Sequence, residues 1–263
     1  MTLRRIVLIS FLLLIPFTAH SQQAPIQNPQ AVALVSQALA ALDGSTQVND
    51  ISLTGTATRT AGSDIESGNV TLKALGTSDS RLDLIVSAGT YSDVRSMQTG
   101  ANPQGFWIVP NGSPTPYATH NCLTDAAWFM PALSVLSQLS SPSLIVLYVG
   151  QETKNGVAVQ HLHFATQSAT SDSADVLQRL TAEEVYLDAS TFLPVELTFD
   201  THADDDALTN IPVEVDFSNY QVVNGVQIPF HIQKFVNGSL FLDLAIQNAI
   251  LNSGLNASIF SSN

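Results

Sequence analysis

Between Val195 and Gln247 four runs alternate apolar and polar residues, and no other feature of the chain restricts its fold more. Val195, Leu197 and Phe199 stand against Glu196, Thr198 and Asp200, and Val213, Val215 and Phe217 against Glu214 and Asp216. Ile228, Phe230 and Ile232 stand against Gln227, His231 and Gln233, and Leu240, Leu242, Leu244 and Ile246 against Asp243 and Gln247. Successive side chains of a strand leave opposite faces, so a period of two collects the apolar members on one side. Four such runs in a row predict an antiparallel meander with one dry and one wet face. A sheet of many strands twists and must curl.

The same period appears earlier, in Ile51, Leu53 and Ala57 against Ser52, Thr54, Thr56 and Thr58, in Val70 and Leu72, and in Leu82, Leu84 and Val86. Asp93 to Met97, Phe106 to Val109, Leu144 to Val149 and Val157 to Phe164 add further strands, with a hairpin at Lys154-Asn155-Gly156. Two regions break the pattern. Asn28-Pro29 opens a three-and-four spacing through Val32, Val35, Leu39 and Leu42 that ends at Gly44, which predicts a capped amphipathic helix. Leu123 to Leu139 is apolar without alternation and is divided by Pro131, which predicts two short helices acting as a plug or lid. With no other surface to cover, both helical regions belong inside the curve. Ser168 to Asp175 reads as a polar loop, and no internal repeat or linker cuts the chain.

Arg4-Arg5, the apolar run Ile6 to Phe17 and the small-residue ending Ala19-His20-Ser21 have the layout of a cleaved secretory signal, too short and too broken by Pro16 to anchor the chain in a membrane. The mature part, residues 22–263, is expected to be one domain in the periplasm or outside a bacterial cell. Loss of Arg4 and Arg5 from 9 Lys plus Arg leaves 7 against 22 Asp plus Glu, a net charge of −15. Such a field repels nucleic acid and anionic membranes. Cys122 is the single cysteine, so no intramolecular disulfide forms and burial must carry stability. Only 12% of residues are charged, against about 25% on average, while 45% are hydrophobic, a surplus that points to a cavity.

The stretches Val185-Tyr186-Leu187-Asp188-Ala189-Ser190-Thr191-Phe192-Leu193-Pro194 and Phe217-Ser218-Asn219-Tyr220-Gln221-Val222-Val223-Asn224-Gly225-Val226-Gln227-Ile228-Pro229 resemble the outer-membrane lipoprotein-sorting proteins, the LolA/LolB-like periplasmic lipoprotein carriers. The ending, with Asp243 to Ile246, Leu251-Asn252 and Phe260, is similar too. The likeness is clearest over 181–260 and rests on turn chemistry: Asp188 and Thr191 set one turn, and Asn224-Gly225 another. It implies a mainly β (α+β) fold, a curved antiparallel sheet forming an incomplete β-barrel of about eleven strands around short helices. It also implies a non-catalytic carrier of lipid-like or acylated ligands. No position matches a carrier's gating arginine, although Arg59 and Arg81 lie in the early strands.

The cavity lining expected from these readings is Trp128, Phe129, Met130, Leu133 and Leu136 from the lid and Phe199, Phe217, Phe230 and Leu242 from the sheet; plain core packing uses the same residue types. His161 and His163 share a strand face and could share a metal, with His202, Asp200, Asp204, Asp205 and Asp206 as distant partners, though they lack the spacing of a dedicated site. The Asp204 run could hold calcium, but a solvated turn explains it. Cys122 near His120 invites a nucleophile reading, while its apolar flank suggests a buried structural thiol. No nucleophile elbow, phosphate loop or zinc-protease motif is present, so no cofactor or catalytic residue is expected. The alternatives are an envelope sensor that reads a partner protein with the same fold and, behind it, a metal-dependent hydrolase.

Overall fold

The computed structural model describes residues 26–96, 103–124, 126–168 and 174–261. The secretory signal expected at 1–21 and the end of the strand expected at Met97 lie outside the described residues. The strands are β1 (Asp50–Ala61), β2 (Asp64–Leu75), β3 (Asp79–Val86), β4 (Gly89–Ser96), β5 (Gln104–Ile108), β6 (Thr115–Pro116), β7 (Leu144–Lys154), β8 (Val157–Thr166), β9 (Glu183–Asp188), β10 (Pro194–Ala203), β11 (Asp206–Val223), β12 (Val226–Val236) and β13 (Ser239–Leu251). They form one sheet in the order β6-β5-β4-β3-β2-β1-β13-β12-β11-β10-β9-β8-β7, every neighbouring pair antiparallel. The mainly β, open-barrel expectation therefore holds, with thirteen strands instead of about eleven. Part of the surplus is β6, a two-residue edge where Pro116 cannot donate to a further strand.

Helix α1 (Pro29–Leu42) begins as its sequence requires, with the Asn28 side chain accepting from the Gln30 and Ala31 amides and Gly44 at φ +58° after the last turn. It buries Ala31, Leu34, Val35, Ala38 and Leu42 against β7 and β12. The residues ahead of it bond to β7 through Asn28 N to Val146 O at 2.8 Å and Val146 N to Ile26 O at 3.0 Å, so this edge of the sheet is partly covered.

Strands β6 and β7 stand at opposite edges, so the chain joining them must cross the curve. This is the Leu123–Leu139 region. Instead of two short α-helices it forms 3₁₀ turns at Pro131–Leu133 and Val135–Gln138. Pro131 has no amide to donate, and extended Ser134 separates the turns, its hydroxyl donating to Pro131 O and accepting from Leu136 N. The polar loop predicted at 168–175 also needs correction, because α2 (Ala174–Leu180) starts within it; residues 169–173 are outside the described part. Among the described residues no helix is long and apolar enough to cross a membrane.

Asp50, 3% exposed, ties the chain end to the start of β1. Its carboxylate accepts from Ser253 N at 2.8 Å, Ser253 Oγ at 2.9 Å and Gly254 N at 2.9 Å. Beyond this clasp Phe260 is fully buried beside β3 and β4, and Arg81 donates to Ile259 O at 3.2 Å.

Candidate functional site: a charged end to an apolar cavity

The inward rows of the sheet are apolar for most of their length and change character at one end. On β12 the row Val226, Ile228, Phe230 and Ile232 is buried, and the next inward position is Lys234. On β1 the row that includes Ile51, Leu53 and Ala57 ends in Arg59. Both residues pair with Leu242 of β13, so the two cations flank one apolar residue. On β4 the row is Tyr91, Asp93 and Arg95, opposite Leu84, Leu82 and Ser80 of β3. The register slips between Lys234 and Phe235, leaving Phe241 as an extra residue on β13. Such a bulge re-aims a side chain, and Phe241 joins the concave side.

These rows enclose a cavity of about 290 Å³, walled by Leu82, Leu84, Tyr91, Trp107, Phe241 and Leu242 and bordered by Arg59, Asp93 and Lys234. Past Asp93, Tyr117, Lys234 and Phe241 it adjoins a lobe of about 180 Å³ that reaches Trp128, Phe199 and Val213. A more polar cleft of about 430 Å³ lies elsewhere, bordered by Arg95, Gln104, Ala165, Thr166 and Leu177 from the two ends of the sheet.

Each cation lies on an aromatic ring, an attraction that grows as water is excluded. Arg59 lies 4.4 Å from the Tyr91 centroid and 5.5 Å from that of Phe241, with its Nη1 3.5 Å from Glu66 Oε2. Tyr91 also donates to Glu66, at 2.8 Å. Arg95 lies 4.3 Å from the Tyr117 centroid, its Nε 3.6 Å from Asp93 Oδ1, and Nη1 donates to Asn121 O. Lys234 Nζ lies 4.3 Å from the Trp128 centroid, and among the described residues it forms no ion pair. Burial pulls the Lys234 amine down to about 8, against the pull of Asp93. Burial pushes the Tyr117 hydroxyl far above its ordinary range, Asp93 adding to the rise.

Of the residues expected to line a cavity, Trp128, Phe199 and Leu242 border this one. Phe129, Met130, Leu133, Leu136, Phe217 and Phe230 pack in the main core, Phe129 only 1% exposed. Arg59 faces the cavity, whereas Arg81 bonds Asp83 and the C-terminal segment. Lys234 was missed, although its step of two from Ile232 was the available signal.

His161 and His163 do share a face, and what they share is Glu184, with His161 Nε2 at 2.8 Å and His163 Nδ1 at 2.7 Å from its two oxygens. The second nitrogen of His161 lies 2.7 Å from Glu152 Oε1, so carboxylates engage both its nitrogens. His202 is elsewhere, against Arg179 and Asn210. In the acidic run Asp204 accepts from Ala118 N and Asn121 of the distant crossing segment, and Asp206 accepts from Leu208 N and Thr209 Oγ1 within its own turn. Among the described residues the carboxyl groups that converge are instead Glu196, Glu214 and Asp216, on the face opposite the core, with Lys154 Nζ 2.7 Å from Glu196. Cys122 is buried, burial raises its thiol, and the His120 ring is bonded to Ala203 O, which is not the setting of an activated nucleophile.

No family model matches this chain, and no curated protein does. Solved structures match its fold. A Vibrio parahaemolyticus domain assigned to outer membrane lipoprotein sorting aligns with a TM-score of 0.56 at 13% identity, covering 88% of this chain and 96% of that one. A DUF1329 family protein of Desulfovibrio piger gives 0.55 at 10% identity, covering 91% and 98%. A LolA superfamily protein of Nitrosomonas europaea gives 0.55 at 11% identity, covering 88% and 97%. The fold is thus the LolA-type open barrel.

Proposed function

Starting from that open barrel, we propose that this protein is a non-catalytic carrier or binding protein for a lipid-like or acylated ligand, exported to the bacterial cell envelope as a single domain without a cofactor. The observation that carries this reading is the cavity of about 290 Å³ on the concave face, walled by Leu82, Leu84 and Leu242 and by the rings of Tyr91, Trp107 and Phe241. Small-ligand sites are mostly apolar clefts with a few placed polar groups, starting near about 300 Å³. Burial of a chain there contributes roughly 25 cal/mol per Å². The size suits one alkyl chain at a time.

The test is a fluorescence titration with the neutral apolar dye N-phenyl-1-naphthylamine. Saturable binding to one site, displaced by ten-carbon amphiphiles, is expected. Absence of saturable binding would overturn the reading.

A further inference from the structure

We propose that the cavity takes a single-chain amphiphile with an anionic head, its chain along the apolar wall at Leu82, Leu84 and Leu242 and its carboxylate or phosphate on the ammonium of Lys234. This rests on the binding reading above and adds the charge and placement of the head group.

Charge matching points to the head group. The chain has a formal net charge of −13, with 9 Lys and Arg against 22 Asp and Glu, yet Arg59, Arg95 and Lys234 all border adjoining lobes of one cavity. Two of the three have acidic neighbours. Arg59 is 3.5 Å from Glu66, and Arg95 is 3.6 Å from Asp93. Lys234 has none within ion-pair distance among the described residues and is held only over the Trp128 ring at 4.3 Å.

The position makes this costly. Lys234 continues an inward row, Val226 to Ile232, where an aliphatic residue would pack without loss. Lys234 is half-buried, and Asp93 borders both lobes beside it without forming an ion pair with it; a partly desolvated, unpaired cation is unfavourable, and replacement by an apolar residue of similar volume commonly stabilises a protein. A bound anion removes that cost while its chain covers the apolar wall. Burial, with Arg95 adding to it, depresses the Lys234 pKa, and the pull of Asp93 does not offset them. Lys234 lines both lobes, so a head group bound there can send its chain into the larger one.

The experiment is competition against N-phenyl-1-naphthylamine at pH 7 and low salt, with decanoate, decyl phosphate, decanol and decyltrimethylammonium, and with acetate and inorganic phosphate as heads without chains. The two anionic amphiphiles should displace the dye at concentrations about ten- to a hundredfold below that needed for decanol, the worth of one charge-assisted contact. The cationic amphiphile should be the weakest, and the chainless anions should not displace it. The better of the two anionic amphiphiles identifies the head. In Lys234→Met the ratio between decanol and decanoate competition should fall to about one, whatever happens to the absolute affinity for the dye, and Lys234→Arg should restore the advantage of the anions. Equal competition by decanol and decanoate in the wild-type protein overturns the head-group assignment and leaves the cavity standing. Failure of the dye itself to bind overturns the reading beneath it. The wild-type comparison decides the matter even if a variant does not fold.

Discussion

The Lys234 ammonium lies 4.3 Å from the centre of the Trp128 ring, joining a sheet position on β12 to the chain that crosses the open side of the curve. Both residues border the smaller lobe of the cavity, so the contact links the sheet to its cover.

The Lys234 amine couples stability to pH. Its pKa is lowered to about 8 in the folded protein from 10.5, so between those values the unfolded chain binds more protons. Stability from this group therefore rises with pH from 8 to 10.5 and is at its poorest below 8. The groups around it, Asp93, Arg95, Arg59 and Tyr117, remain in the variant. Lys234→Met should raise the unfolding free energy of the ligand-free protein at pH 7 by about 2 kcal/mol, with the gain shrinking by pH 9.5. Urea unfolding at the two pH values measures it. A loss at pH 7 would mean that the amine has a stabilising partner.

Asp216 behaves in the opposite sense. Burial, with Glu214 and Glu196 beside it, raises its pKa to about 6 from 3.8, so the folded state holds the proton more tightly. The stability this provides is full below pH 3.8 and is lost as pH rises through 6. Asp216→Asn should raise the melting temperature at pH 7.5 and make little difference at pH 4. A variant less stable at pH 7.5 would show that the carboxylate is needed there.

Phe129 separates core from cavity. It is 1% exposed and lies in the main cluster, so Phe129→Ala should cost about 3–5 kcal/mol of stability. Trp107, 37% exposed on the cavity wall, should cost much less as Trp107→Ala and instead weaken dye binding. Denaturation and dye titration on both variants test the division, and a reversed pattern would contradict it.

The Asp50 carboxylate is held in its ionised form by the clasp it makes. Burial alone would raise its carboxyl, but the bonds from Gly254 and Ser253 outweigh that and hold it below its ordinary value. Its contribution is present above the ordinary carboxylate pKa and is lost as pH falls through the lowered one. Asp50→Ala should cost about 2 kcal/mol at pH 7 and increase hydrogen exchange in residues 250–261. Unchanged exchange there would mean that the chain end is held without it.

Much of this architecture is written locally. The alternation of β10 to β13 is clear because one face is dry, and a one-residue slip would turn Ile228, Phe230 and Ile232 to water. Asn28-Pro29 and Asn155-Gly156 encode a helix start and a tight turn through their own backbone preferences. The cavity is less legible. Phe241 reads as an outward residue by period, and only the bulge opposite Lys234 and Phe235, a property of two strands together, turns it inward. Trp128 and Phe129 are adjacent, equally apolar and both in the core cluster, yet only Trp128 also borders the cavity, because neighbours distant in sequence decide which. The Glu184 bond to His161 and His163 likewise depends on the β8–β9 register.

The central claim, a cavity that carries a single-chain lipid, is tested most directly by native mass spectrometry of residues 22–263 isolated from periplasm without detergent, followed by solvent extraction. A discrete added mass that extracts as an acyl compound is predicted. A clean ligand-free mass that persists after incubation with membrane lipids and decanoate would contradict it.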